Sequence, residues 1–199
     1  MITITDDKMI EKFLKAKHWQ IFMLTFGLPI ILEIIAMPFM IIGNNPMVIM
    51  KIMPIMMIFF IVGFFGWFWA IAIGLQNKVP TGIKMKVKKF KVFFLIPLIY
   101  IILIFGFMGF AFGGILENGQ QPSGGMIGGL VGIIVPLHLF SMFCIFYCLY
   151  FVSKTFKTVE LQREVTFSDF AGDFFMIWFF PIGVWIVQPK INKMIENKE

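Results

Sequence analysis

Charge is scarce in this chain. Charged residues make up 14% of its 199 residues, against about a quarter in a soluble domain. So small a polar complement cannot cover a water-soluble globule of this length, and a soluble fold is excluded. Cysteine is rarer still. Cys144 and Cys148 both sit inside an apolar run, which excludes a disulfide framework. A metal would want three or four ligands at defined spacing, so both thiols read as small buried hydrophobes. Arg163 is the single arginine. The chain also lacks a Ser-His-Asp set, a zinc signature and a phosphate-cradling loop. Its glycine-rich stretch 124–132 is apolar, with no Lys following. No catalytic residue, cofactor or metal is expected.

The net charge of +6 would suggest nucleic acid in a soluble protein. Here the cations lie in short segments between apolar runs. No base-stacking or groove-reading element accompanies them. Nucleic acid is therefore not expected as a partner, and the charge is read as membrane topology.

What is present is apolar: 59% of residues are hydrophobic and 18% aromatic. Four runs, at 20–42, 52–75, 92–116 and 126–151, each exceed the roughly 20 residues that cross a hydrocarbon core of about 30 Å. The expected fold is an all-α, polytopic transmembrane helical bundle, a single membrane domain over 1–199. Before the first run, 5–18 read as an amphipathic helix. Met9, Ile10, Phe13 and Leu14 lie on one side and Lys8, Lys12 and Lys15 on the other, which suits a helix flat on the bilayer surface. After the fourth run come a charged connection at 154–173, a short apolar segment at 174–187 and a polar tail at 188–199.

Lysines set the orientation. Lys8, Lys12, Lys15 and Lys17 fall on one side, with the cluster Lys78 to Lys91 and with Lys154, Lys157 and Arg163. Lys51 stands alone opposite. Positive-inside bias then places the N-terminus in the cytoplasm of a bacterial inner membrane. Segment 174–187 is short for a span, and Pro181 and Gly183 interrupt it. If it turns back, Lys190, Lys193 and Lys198 join the majority. The reading is four spans plus a short C-terminal re-entrant or interfacial segment, with five spans as the alternative.

In lipid, helices are held by close packing, because burying apolar surface against a neighbour brings no water-driven gain. Residues four apart share a helix face. Gly66, Ala70 and Gly74 form such a stripe, as do Gly109 and Gly113, and Gly124, Gly128 and Gly132 with Gly125 and Gly129 beside them. These glycine-zipper grooves are expected to seat helices of the same chain first. Copies of the chain or another membrane protein are the alternative occupants.

Two ionisable groups lie near mid-span. Glu33 falls in Leu32-Glu33-Ile34-Ile35 and His138 in Pro136-Leu137-His138-Leu139. A carboxylate at that depth must be protonated, paired or beside water. The two are at similar depth, so a Glu33–His138 pair is allowed, either as a fixed structural contact or on a proton or cation pathway. Glu160 with Glu164, and Asp169 with Asp173, are also spaced by four, but no Glu-x-x-His accompanies them. With Lys157 and Arg163 near, they read as a solvated, charged linker.

Thr158-Val159-Glu160-Leu161-Gln162-Arg163-Glu164, then Phe167-Ser168-Asp169-Phe170, Trp178 to Trp185, and Gln188-Pro189-Lys190-Ile191-Asn192 complete the pattern. This stretch, 158–192, resembles the C-terminal part of small uncharacterised multi-pass membrane proteins of Bacteroidota. The resemblance implies no catalytic residue; it implies that 158–192 acts as a unit. The expected role is non-enzymatic: a membrane-complex subunit or accessory, or a homo-oligomer, with lipid and another membrane protein or copies of itself as partners. A small transporter or channel using Glu33 and His138 is the alternative.

Overall fold

Apolar runs this long can satisfy their backbone groups in hydrocarbon only as helices. The structure, a computed structural model, describes residues 4–43, 47–118 and 123–196, and no strand occurs among them. In chain order the helices are α1 (Ile4–Lys15), α2 (His18–Phe22), α3 (Leu28–Ile41), α4 (Met47–Phe60), α5 (Gly66–Gly74), α6 (Val87–Asn118), α7 (Gly124–Leu161), α8 (Phe167–Trp178) and α9 (Phe180–Glu196). A π turn, Met23–Gly27, joins α2 to α3, and a second, Ile61–Phe65, joins α4 to α5. Four stretches among the described residues are long and apolar enough to cross a membrane: His18–Ile41, Lys51–Lys78, Val87–Phe107 and Gly124–Leu161. The chain is thus a multi-pass, membrane-embedded, all-α bundle.

The helices group into two units, Lys88–Cys148 and the remainder, Met1–Val87 with Leu149–Glu199. In the larger unit, α3 lies against α4, α1 against α5 and α9, and α8 against α9. Trp67, Phe68, Phe156, Phe170, Ile177 and Ile191 are its fully buried centre.

Part of the apolar stripe of α1 packs on protein, while Met9 is exposed. Ile10 and Leu14 are buried. A β-carbon placed on Gly74 would lie 2.5 Å from Ile10 and 2.7 Å from Leu14, and one on Gly66 would lie 2.7 Å from Phe13. Ala70, between them, is also buried. The groove of α5 thus works as expected, and its occupant is α1. A side chain fixed in a glycine groove keeps dispersion contacts that mobile lipid chains do not match.

The first π turn follows from local sterics. The ring of Pro29 crowds the carbonyl four residues back, at Thr25, and the wider turn Met23–Gly27 gives it room. The two π turns meet: a β-carbon on Gly63 would lie 2.0 Å from Thr25 Oγ1. The Thr25 hydroxyl turns inward and donates to the Ile21 carbonyl at 2.8 Å.

At the C-terminal end, α7 runs on to Leu161, through part of the expected linker. Thr166 caps α8: its backbone N–H donates to Asp169 Oδ2 at 2.8 Å. The chain breaks at Phe179 (φ −80, ψ 61). It does not break at Pro181, which sits in the first turn of α9, where a missing N–H has no intrahelical partner to lose. After Phe179 the chain folds back. A β-carbon on Gly183 would stand 1.8 Å from the Met176 carbonyl oxygen. The ends of the two legs meet again at Asp173 and Lys190, 4.0 Å apart.

In the smaller unit, α6 and α7 are joined by aromatic contacts. The Phe93 ring lies 4.6 Å from Tyr147 and 6.1 Å from Phe143. The Lys89 ammonium stands 4.8 Å from the Tyr147 ring centre.

Candidate functional site

Glu33 and His138 belong to different units, so each is described in its own surroundings. Glu33 stands on an exposed face of α3. It borders an apolar cavity of about 280 Å³ with Ala36, Met37, Met40, Ile52 and Met56, between α3 and α4. No hydrogen bond or ion pair to Glu33 is found within its unit among the described residues. His138 is exposed on α7, and the Tyr100 hydroxyl of α6 lies 3.1 Å from its Nδ1. One turn further on, Ser141, Cys144 and Cys148 form a buried stripe. His138 is not part of that stripe. No group of three His, Cys, Asp or Glu that could hold a metal occurs among the described residues.

The glycine stripes divide. Gly66, Ala70 and Gly74 are filled by α1, as above. Gly124, Gly125, Gly128, Gly129 and Gly132 have nothing among the described residues within 4 Å of where a β-carbon would be. No intramolecular contact of that stripe occurs among the described residues. Gly109 and Gly113 lie on α6, and their surroundings fall outside the described residues.

Two polar constellations went unrecognised in the sequence. In the first, Lys157 of α7 contacts Glu160 at 2.5 Å and Asp173 of α8 at 2.9 Å. Lys190 of α9 contacts Glu160 at 3.2 Å. Cations and carboxylates alternate, so the cluster carries no net charge and ties three helices together. The expected solvated linker is corrected here. Asp173 is buried, because the fold-back at Phe179 brings α9 over it. Arg163 and Asp169 do remain at the surface, 2.7 Å apart. That guanidinium, with the Thr166 N–H and hydroxyl, holds the Asp169 carboxyl well below the usual carboxylate range.

In the second, Gln188 of α9 is fully buried. Its oxygen accepts from the Trp67 indole at 2.7 Å. Its amide donates to the carbonyls of Phe13, Leu14 and Ala16 at 3.1, 3.1 and 2.8 Å. Asn192, one turn on, donates to Leu14 and Ala16 at 2.9 and 3.1 Å. The last carbonyls of a helix have no partner of their own, and α9 supplies partners for those of α1. The available signal was the spacing of two amides by four, at the start of a tail that reads as merely polar.

Among buried side-chain polar atoms of the described residues, Thr158 Oγ1 is without a hydrogen-bond partner. No family model, curated protein or solved structure matches the chain.

Proposed function

We propose that the chain is a non-enzymatic protein of the bacterial inner membrane, with its N-terminus in the cytoplasm, that works through helix contacts as a subunit of a membrane complex or as a homo-oligomer. The observation that supports this is the glycine face of α7, which meets nothing among the described residues. Each glycine inside a helix costs about 1 kcal/mol relative to alanine. Five in the first turns of α7 are offset only if another helix approaches there closely, as α1 does at Gly66 and Gly74. Mid-span polar groups add support. Glu33 and the Tyr100–His138 pair sit on exposed faces, whereas such groups in membranes face protein or water.

The test is the size of the purified chain, and of what accompanies it, in mild detergent. Gly128→Leu with Gly132→Leu should lower the assembled mass while the helical content holds. Assembly unchanged by that pair would overturn the proposal. The cavity beside Glu33 favours the second reading, a small transporter or channel. A proton or cation flux in liposomes that Glu33→Gln abolishes would establish it in place of the first.

A further inference from the structure

We infer that α8 and α9 form a re-entrant hairpin, seated among the acyl chains of the leaflet that faces the Lys78–Lys91 connection, and that the chain does not cross the membrane there. The length of the legs comes first. From Asp173 to Phe179 is about 9 Å of helix, and from Phe179 to Lys190 about 16 Å. Neither leg crosses a hydrocarbon core of about 30 Å, and the Asp173–Lys190 contact closes the base.

Depth comes next, read against α5 in the same unit. Lys78, at the polar end of that span, donates to the Met194 carbonyl near the end of α9. Gln188 sits level with Trp67. Phe180, beside the break, packs on Phe64 at 5.2 Å and Phe26 at 5.8 Å. The stretch from Lys78 back to Phe64 is about 21 Å of helix. The tip therefore lies alongside the spanning helices, near mid-bilayer, and the tail returns to the Lys78 end.

Surface chemistry agrees with depth. The inner side of the hairpin, Ile177, Phe180, Val184 and Val187, is buried against protein. The outer side near the tip presents Trp178, Phe179, Ile182 and Trp185, with Phe179 61% and Ile182 60% exposed. The charged groups Lys157, Glu160, Asp173 and Lys190 gather at the base and none lies at the tip. An apolar tip over a charge-neutral foot fits lipid chains with headgroups at the base. A soluble partner would find no polar group there to orient it.

Single cysteines in the full-length chain test this, with a membrane-impermeant maleimide applied from either face of sealed membranes. The parent chain, whose Cys144 and Cys148 are buried, gives the background. Lys193→Cys should label from the same face as Lys84→Cys, and Ser123→Cys from the other. Phe179→Cys and Ile182→Cys should label from neither face, and should label once the membrane is dissolved in denaturing detergent. If Lys193→Cys labels together with Ser123→Cys, the segment spans and the inference fails. Labelling of Phe179→Cys from either face also overturns it. To separate lipid from a covering protein, the purified chain carries a nitroxide at Ile182→Cys in phosphatidylcholine vesicles. Relaxation greater by oxygen than by a water-soluble nickel chelate supports the hairpin, and the reverse order overturns it.

Discussion

Gly63, Gly66, Gly74 and Gly183 stand where another helix or turn comes too close for a β-carbon, whereas Gly124, Gly128 and Gly132 meet nothing among the described residues. The same residue type thus marks close contacts in the larger unit and, among the described residues, none in the first turns of α7. The difference extends beyond glycine. The larger unit has amide grips, an ion cluster and a buried aromatic centre, while α6 and α7 of the smaller are joined by a short ladder of rings.

That contrast can be broken most sharply at Gly183. Alanine there meets a backbone carbonyl, and backbone cannot swing aside as a side chain does. Gly183→Ala should cost about 3 kcal/mol, the upper end of overpacking, read as a lowered unfolding midpoint in detergent. Next comes Gln188→Leu. It strands the Trp67 N–H and the Phe13 carbonyl, while Asn192 still reaches those of Leu14 and Ala16, so a loss of about 2 kcal/mol is expected from unsatisfied buried groups. Trp67 fluorescence should shift with it. Asp173→Asn comes third. Lys157 keeps Glu160, and the site is partly open to solvent, so about 1–2 kcal/mol is expected, less than for a fully buried pair.

Gly128→Ala sharpens the contrast from the other side. With no neighbour to strike among the described residues, it should raise the stability of the isolated chain by about 0.5–1 kcal/mol through helix propensity, while weakening assembly. A loss of stability in the dissociated chain would show that this face is packed within one molecule. The smallest effect concerns pH. Asp169 has its folded pKa below its unfolded value. Its contribution is therefore present above the ordinary carboxylate range and lost as pH falls below it. Protection against hydrogen exchange at the start of α8, taken relative to the intrinsic exchange rate at each pH, should be flat from pH 5 to 8 and fall only in strong acid, and Asp169→Asn should remove that fall.

The spans were legible because a long apolar run carries its own evidence of solvent. Boundaries moved by a few residues only, and α7 was extended. The partner of each face was not legible. An amphipathic stripe such as that of α1 is the same pattern whether lipid or α5 covers it. Gly66 and Gly124 look alike in one dimension. The break near Pro181 was visible in composition, but its site at Phe179 and the close approach at Gly183 depend on where the second leg lands. Asp173 read as solvated because the helix that buries it lies further along the chain. Of the two mid-span candidates, His138 meets Tyr100, from a helix the sequence could not pair with it.

The grip of Gln188 on Phe13 joins residues 175 positions apart. During synthesis, the carbonyl end of the first helix therefore waits for almost the whole chain to emerge before its bonds are completed. A ribosome that stops short of Gln188 releases a product with that end unsealed and the Trp67 indole without its acceptor. Helix α9 serves as a closing stitch on α1.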